Sequence, residues 1–301
     1  MRRRLMLTGC GGFVAGAIVH QAGEGWEVHA LTRKEALLER PGLAWHSFDL
    51  LDYERLHDEF HAIKPDAVIH AAAMADIDSC QANQELAEHV NAGVTRELAA
   101  LCADSGAKLV FMSTDNIYDG EKGYYTEEDP PTPINFYGET KVMAEQAVAA
   151  LRVNYVVARV SLVMGLPMLG AGNSFLSRMM PVLERGEPLG VPDNEIRSTV
   201  DVVTAARALL ELAGNDYAGY LQIAGNDVCN RFEMVRRIAR KLGHPDELVV
   251  PRDPVDIPGR APRPLNASLC NHRAGDVLDT PMRGIEDGLE LVLAAAGKDG
   301  S

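Results

Sequence analysis

The sequence predicts an α/β fold in which a doubly wound parallel sheet is joined to a smaller carboxyl-terminal domain. Three observations lead to this prediction. Short apolar strands alternate with helix-forming stretches of about ten or more residues. A cluster of glycines directly follows the first strand. The 301 residues, of which 47% are hydrophobic and 24% charged, suffice for one large domain or two unequal ones.

The first strand and the first helix flank the glycines. Residues 4–8 have strand character, and residues 13–22 have helix character. Glycines permit a tight turn and let the backbone touch a pyrophosphate, whose charge is held by the amides and dipole at the helix amino terminus. The segment therefore predicts a dinucleotide site formed by Gly9, Gly11, Gly12, Phe13 and Val14.

The same amino terminus has an alternative interpretation. Residues 5–23 lack Lys, Arg, Asp and Glu and follow three arginines, which is also typical of a signal peptide or membrane span. However, only Leu5 and Met6 separate those arginines from a segment like a lipoprotein cleavage site, whereas an apolar signal core needs about 7–15 residues. We therefore expect no targeting segment and a cytoplasmic protein.

Three further strands are predicted at residues 26–32, 44–48 and 67–70. Since they alternate with helices, the sheet should be parallel, with its ligand at the carboxyl ends of the strands, as in a Rossmann-type fold. Small or polar residues follow two of these strands: Asp49, Ala71, Ala72 and Ala73. Helix packing is the alternative role for each alanine.

The end of the second strand bears on the choice of cofactor. NAD-preferring sites often place Asp or Glu here for the ribose 2′-hydroxyl, whereas this chain has Arg33 and Lys34. Two cations favour a 2′-phosphate, so the sequence predicts NADP(H), with NAD(H) as the alternative. A solvated loop is the alternative role for both residues.

A second motif begins at a buried-type strand over residues 108–112. This strand ends in Ser113, Thr114 and Asp115, so hydroxyl groups emerge at the ligand edge of the sheet. A hydroxyl at that edge can hold a carbonyl group that is being reduced. Thr114 is the candidate for this role.

Tyr137 and Lys141 lie four residues apart on the helix predicted to begin near Asn135, so they share one helix face. An ammonium beside a phenol stabilises the phenolate, and we therefore expect a lowered Tyr137 pKa. A tyrosine tuned in this way is suited to proton transfer near neutral pH. An accidental surface pair is the alternative.

These motifs resemble the extended short-chain dehydrogenase/reductase superfamily, whose pattern is a TGxxGxxG turn, a Ser or Thr, and YxxxK. The turn here reads TGCGGFVA, with Ala15 in place of the third glycine. Within the superfamily, residues 113–120, 127–141, 157–165 and 263–269 resemble the dTDP-4-dehydrorhamnose reductase family. The resemblance extends from about residue 4 to residue 290.

The resemblance implies roles for the matched residues. Tyr137 becomes the proton donor, Lys141 its activator and a ribose ligand, and Thr114 the group that orients the carbonyl, with Ser113 as support. Around the cofactor, the resemblance places Gly9, Gly12 and Ala15 at the pyrophosphate, Arg33 at the ribose phosphate, Asp49 and Leu50 at the adenine, Ala71 to Ala73 at the ribose, and Asn91 nearby. For Asn91 and Asp49 the alternative role is a helix or turn cap.

The substrate pocket departs from the family pattern. Asn116 stands where the family has a tyrosine, Leu162 where it has a tryptophan, and Met74 and Ala75 where it has Tyr-Thr. Aromatic faces hold sugar rings by stacking, so we expect a differently shaped pocket. The residues expected to bind substrate are Met74, Asp115, Asn116 and Arg197.

Charge and composition restrict the partners. A net charge of −14 repels phosphate backbones and anionic lipids, so neither nucleic acid nor a membrane is an expected partner. Local arginines can still bind a nucleotide diphosphate, although a solvated or capping arginine is the commoner case. The candidates are Arg178, Arg197, Arg231, Arg260 and Arg263. The five cysteines and nine histidines show no metal-ligand spacing, so no metal and reduced thiols are expected.

The domain organisation follows from these elements. We expect a Rossmann-type domain over residues 1–165, rejoined by a segment near 198–213. Residues 166–301 should form most of a substrate-binding domain and end in a frayed tail at 297–301. A homodimer is the assembly to test.

The predicted function is NAD(P)H-dependent reduction of a carbonyl, with the 4-keto group of a nucleotide-linked deoxysugar as the favoured substrate. One alternative is a reductase or epimerase acting on another carbonyl. Another is an NADP-binding regulatory subunit, because the β subunit of methionine adenosyltransferase shares the STD, YGxTK and RPxN segments found here.

Overall fold

The computed structural model describes residues 2–150, 154–170, 174–253 and 259–297. Within these ranges the strands are β1 (Arg3–Thr8), β2 (Trp26–Thr32), β3 (Leu43–Ser47), β4 (Ala67–His70), β5 (Lys108–Thr114), β6 (Tyr155–Val160), β7 (Val163–Met164), β8 (Leu189–Val191), β9 (Ile196–Arg197), β10 (Val200–Asp201), β11 (Gly219–Ile223), β12 (Cys229–Asn230) and β13 (Val249–Pro251).

The α-helices of the same ranges are α1 (Phe13–Gln21), α2 (Tyr53–Ile63), α3 (Ile77–Ala82), α4 (Gln84–Glu88), α5 (Val94–Ser105), α6 (Phe136–Ala150), α7 (Phe175–Glu184), α8 (Val202–Gly214), α9 (Arg231–Lys241), α10 (His272–Val277) and α11 (Ile285–Ala296). A π-helical turn, His89–Gly93, connects α4 to α5, and a 3₁₀ turn, Asp115–Ile117, follows β5.

The central sheet has seven strands in the order β11-β6-β5-β4-β1-β2-β3, and every neighbouring pair is parallel. Helices α1 and α8 pack against each other in the apolar core on one face. The core on the other face contains residues of α2, α5 and α6. The predicted doubly wound parallel sheet is therefore confirmed.

The central sheet and its helices also include residues that lie beyond the predicted Rossmann-type domain, residues 1–165. α8 matches the expected returning segment, and β11 then adds an edge strand beside β6. A separate apolar core joins α7, α9 and α11. Two-stranded pairs β8–β13 and β9–β12 lie outside the central sheet. The division into two domains stays a prediction, and residues 298–301 of the expected tail lie outside the described residues.

β5 is longer than the sequence predicted, because it continues through Ser113 and Thr114 instead of ending at Met112. Both residues pair with β6, opposite Arg159 and Val160. The hydroxyl-bearing residues are thus held by the sheet itself. In the described part of the chain, no helix has the length and apolar character needed to cross a bilayer.

Candidate active site

Two adjoining cavities lie at the carboxyl edge of the sheet. Their volumes are about 510 and 540 Å³, and both are lined by Gly9, Gly11, Gly12, Ala71 and Ala73. We call the first the adenosine cavity, because Arg33, Asp49 and Leu50 line it, and the second the catalytic cavity, because Tyr137 and Lys141 line it. The glycine turn forms their shared wall, as expected for a dinucleotide that spans the edge of a doubly wound sheet.

The glycine turn brings two loops unusually close together. Gly9 has φ +78°, and a Cβ on it would lie 2.8 Å from both the backbone nitrogen and the Cα of Ala72. Helix α1 starts directly afterwards, with Gly12 as its N-cap and no acidic residue in its first turn. Backbone amides at a helix amino terminus next to a chain without a Cβ fit the pyrophosphate of a dinucleotide.

The adenosine cavity contains the residues expected near the cofactor's ribose phosphate and adenine. Arg33 and Lys34 are exposed and line its wall. Asp49 lines it too, and its Oδ1 accepts a hydrogen bond of 3.0 Å from the Leu51 amide, so the alternative role as a turn cap is also present. Met74, expected to bind substrate, lines this cavity instead of the catalytic cavity.

The catalytic cavity brings together Thr114 from the end of β5 with Tyr137 and Lys141 from α6. Tyr137 is 9% exposed and Lys141 is 2% exposed, so both side chains are shielded from bulk water. Asp115, Asn116 and Arg197 also line this cavity, as do Phe13 and Val14 at the start of α1.

The expected lowering of the Tyr137 pKa is wrong for this structure. Burial raises the pKa of the phenol, and the Thr114 side chain only partly opposes this rise. The charges of Asp115 and Cys80 raise it further. Burial of Lys141 lowers the pKa of its ammonium to about 7, because desolvation disfavours the charged form. Tyr137 is therefore a neutral phenol that carries its proton at neutral pH.

Ser113 lines the catalytic cavity, but its hydroxyl is committed elsewhere. Ser113 Oγ donates a 2.6 Å hydrogen bond to Glu145 Oε1. The same carboxylate is paired with Arg159, whose Nη2 lies 2.8 Å from Glu145 Oε2, and both side chains are buried. This pair anchors α6 to β5 and β6, so Ser113 supports the site by fixing the helix that carries Tyr137.

Asn91, expected near the cofactor, lines neither cavity. It is 1% exposed in the π-helical turn. Its amide nitrogen donates to the Met74 carbonyl and to Thr140 Oγ1, at 3.1 and 3.0 Å, and its Oδ1 accepts from the Met74 amide at 2.8 Å. Through these hydrogen bonds, the Asn91 side chain joins the loop after β4 to α6.

Arg197 lines the catalytic cavity, yet protein groups occupy its guanidinium. Its Nε lies 3.5 Å from Asp115 Oδ2, and its Nη1 and Nη2 donate to the carbonyls of Ile196 and Pro264 at 2.7 and 2.9 Å. Both charged side chains are buried, and burial raises the pKa of Asp115 against the opposing effect of Arg197. Arg197 thereby connects the loop after β5 to the segments around residues 196 and 264.

Three other arginines that were predicted to bind a diphosphate are also paired with carboxylates. Glu195, 2% exposed, pairs with both Arg231 and Arg260. Asp78 accepts two hydrogen bonds from Arg263, at 2.7 and 2.9 Å. A diphosphate in this cavity would therefore meet arginines that are already oriented by acids.

Sequence reasoning missed Glu195, which lines the catalytic cavity beside Arg197, Arg231 and Arg263. Nothing in the local sequence around Glu195 marks it, because its two partners, Arg231 and Arg260, come from separate and distant segments. Asp76 and Ile77, which line the same cavity just beyond the alanines that follow β4, were also missed. In the described residues no group of three or more His, Cys, Asp or Glu is arranged to hold a metal ion.

A glycine turn at the edge of a parallel sheet, a threonine at the end of β5, and a tyrosine and lysine on α6 define an oxidoreductase of the short-chain dehydrogenase/reductase class. Residues 3–297 match the RmlD substrate binding domain family. The chain belongs to this family, and the resemblance inferred from its motifs is confirmed.

Relatives with curated names match most of the chain. A dTDP-4-dehydrorhamnose reductase of Mycobacterium tuberculosis is 30% identical over 299 residues, covering 97% of this chain and 93% of the relative. The methionine adenosyltransferase 2 subunit beta of Rattus norvegicus is 28% identical over 274 residues, covering 89% of this chain and 80% of the relative.

A solved structure has the same fold throughout. The crystal structure of a dTDP-4-dehydrorhamnose reductase from Bacillus anthracis in complex with NADP superposes with a TM-score of 0.86 at 26% identity. The match covers 98% of this chain and 99% of that chain.

Proposed function

We propose that this protein uses NADPH to reduce the 4-keto group of a nucleotide-linked deoxysugar, as a dTDP-4-dehydrorhamnose reductase. The observation that carries the proposal is the convergence of Thr114, Tyr137 and Lys141 in a cavity that shares its wall with the glycine turn. The named reductase relative and the NADP-bound structure support the same reaction and cofactor.

The chain's own residues fit the cofactor. The Gly9 turn approaches the Ala72 backbone more closely than a Cβ would allow, and helix α1 begins directly after this turn. Arg33 and Lys34 in the adenosine cavity suit a 2′-phosphate, with NADH as the weaker alternative. When bound, NADPH supplies the hydride for the carbonyl carbon.

The proton for the carbonyl oxygen comes from Tyr137. Its raised pKa keeps the phenol protonated until negative charge develops on that oxygen. The Thr114 hydroxyl orients the carbonyl, and the Lys141 ammonium, when protonated, stabilises the phenolate left behind. Tyr137 and Lys141 are themselves shielded from bulk water, which strengthens their electrostatic interactions.

The substrate ligands proposed from the sequence are Met74, Asp115, Asn116 and Arg197, of which Met74 lines the adenosine cavity and the other three line the catalytic cavity. Because Arg197 is held by Asp115, we expect it to shape the pocket more than to bind a phosphate directly. Arg231 and Arg263 also line the catalytic cavity, although each is paired with a carboxylate, and they are the better candidates for binding a diphosphate. The cytoplasmic location and the homodimer stay predictions.

A regulatory subunit is the second candidate, because the methionine adenosyltransferase 2 subunit beta matches most of the chain. The two functions differ in what the isolated protein does. A reductase turns over alone, whereas a regulatory subunit copurifies with a catalytic partner.

The experiment is NADPH oxidation by the purified chain with dTDP-4-dehydrorhamnose, other nucleotide 4-keto sugars and simple ketones. The proposal expects fast oxidation with the first compound. No oxidation with any of these compounds, while NADPH binds, would refute it.

A further inference from the structure

A fully buried histidine lies beneath the shared wall of the two cavities. His70 ends β4, directly before the alanines that line both cavities, and it is 1% exposed. Its Nδ1 lies 2.7 Å from Thr8 Oγ1, and its Nε2 lies 3.0 Å from Thr95 Oγ1. Thr8 immediately precedes the glycine turn, and Thr95 lies near the start of α5.

The neighbouring hydrogen bonds determine which nitrogen of His70 carries the proton. Thr95 Oγ1 donates to the Asn91 carbonyl at 2.6 Å, so it can only accept from His70 Nε2–H. Thr8 Oγ1 accepts from the Ala72 amide at 3.1 Å and gives its own proton to His70 Nδ1. Burial and the nearby Lys141 charge lower the His70 pKa to about 3, so the neutral ring persists.

A second set of hydrogen bonds continues from Asn91 to the catalytic helix. Asn91 Nδ2 donates to Thr140 Oγ1 at 3.0 Å, and Thr140 Oγ1 donates to the Tyr137 carbonyl at 2.8 Å. Each hydroxyl along this route donates to one acceptor, the Asn91 amide nitrogen donates both to Thr140 Oγ1 and to the Met74 carbonyl, and the side chains of the route are buried. The route therefore runs from the loop against Gly9 to the backbone of the residue proposed to donate the proton.

Asn91, the residue at which the two sets of hydrogen bonds meet, lies in the π-helical turn. π-Helical turns are rare and often occur at functional sites. Here the turn places the backbone carbonyl of Asn91 against Thr95 and its side chain against Thr140, so that one residue serves both halves of the route.

We propose that His70 is a positioning residue which, as the Nε2–H tautomer, sets the distance between the glycine turn and the helix that carries Tyr137. Its acceptor nitrogen holds Thr8 at the cofactor side, and its donor nitrogen holds Thr95 and, through it, Asn91. The inference rests on the proposed role of Tyr137, but the hydrogen-bond pattern itself can be tested without substrate.

The first test is nitrogen NMR of the histidine rings in the full chain, with the His70 signals assigned by comparison with His70→Gln. We expect a neutral Nε2–H ring that does not titrate between pH 5 and 9. An Nδ1–H ring, or titration in that range, would overturn the proposal whether or not the protein is a reductase.

The second test compares Thr95→Val with Thr95→Ser. Valine keeps the size of threonine but lacks the hydroxyl, whereas serine keeps the hydroxyl and loses a methyl group. Thr95→Val removes two buried hydrogen bonds, the one accepted from His70 and the one donated to the Asn91 carbonyl. Each corresponds to about fivefold, so we expect kcat to fall by about five- to 25-fold in Thr95→Val, with KM and NADPH affinity nearly unchanged. Thr95→Ser should restore kcat to within about threefold.

A role of Thr95 in apolar packing alone predicts the reverse order, because valine fills the core better than serine. Valine performing as well as serine would therefore overturn the proposal. If Thr95→Val does not fold, Thr8→Val and Thr8→Ser test the other end of the route. There NADPH affinity should fall about five- to tenfold in the valine variant only, and equal affinities would contradict the proposal.

Discussion

The Lys141 ammonium lies over the face of the Phe111 ring, with Nζ 4.3 Å from the ring centre. An aromatic face attracts a cation, but it does not replace the water that burial has removed. Burial therefore lowers the Lys141 pKa to about 7. The charge of a group proposed to stabilise the Tyr137 phenolate thus titrates close to neutral pH.

Cofactor binding should depend on pH through Lys141. An anionic pyrophosphate in the same cleft favours the ammonium, so the complex should have a higher Lys141 pKa than the free protein. At a pH between these two pKa values, the complex holds more protons than the free protein does. The affinity for the cofactor must therefore fall as the pH rises from the lower pKa to the higher one, by up to about tenfold per pH unit. NADH titrated from pH 6 to 9 measures this, since its diphosphate does not ionise in that range. Lys141→Met should flatten the curve, and an equally steep curve in that variant would remove Lys141 from the effect.

The charge at Arg33 should decide between the two cofactors. Arg33→Asp replaces a cation beside the expected 2′-phosphate with an anion, so NADPH affinity should fall by about 100-fold or more while NADH affinity changes little. Arg185→Asp, on an exposed arginine paired with Glu187, changes the net charge equally and should leave both affinities intact. Equal losses for NADPH and NADH in Arg33→Asp would show that Arg33 does not contact the 2′-phosphate.

Removal of the Tyr137 hydroxyl should separate chemistry from binding. Tyr137→Phe lacks the proton donor, so turnover should fall by about 10²–10⁴-fold while the Kd for NADPH stays nearly constant. Tyr124→Phe is a matched control, because this tyrosine is 47% exposed and outside both cavities. Turnover by Tyr137→Phe at the wild-type rate would disprove the proposed mechanism.

Two glycines with the same backbone conformation should respond differently to alanine. Gly9 and Gly106 have φ of +78° and +77°, but a Cβ meets Ala72 at 2.8 Å in the first case and nothing within 4 Å in the second. Gly106→Ala should lower the free energy of unfolding only by the strain of a left-handed backbone conformation, about 1–2 kcal/mol. Gly9→Ala should lower the Tm further and abolish NADPH binding, because the turn must open. Thermal unfolding and a binding titration of both variants measure this, and equal behaviour would contradict the close approach.

The sequence predicted the parts of the site that depend on local pattern. The strand, glycine turn and helix occupy consecutive residues, so their period and composition reveal the dinucleotide edge directly. Likewise, Tyr137 and Lys141 share a helix face through their spacing alone. These signals needed no knowledge of distant contacts.

The features that the sequence did not predict depend on contacts between distant segments. Arg263 and Asp78 are 185 residues apart, so no local pattern announces that the arginine is already paired. The direction of the Tyr137 pKa depends on burial by several elements, whereas its spacing from Lys141 suggested the opposite shift. Asn91 was expected near the cofactor. In the structure it lies in a π-helical turn, and its side chain forms hydrogen bonds with the Met74 amide and Thr140 Oγ1.

The most direct measurement follows the hydride itself. Purified protein is incubated with dTDP-4-dehydrorhamnose and NADPH carrying deuterium at the transferable position of the nicotinamide, and the sugar product is analysed by mass spectrometry. If NADPH supplies the hydride and Tyr137 the proton, the sugar product carries one deuterium at C4. The Tyr137→Phe variant should then form almost none of this product. A sugar recovered without deuterium, under conditions where NADPH binds, would contradict the proposed hydride transfer.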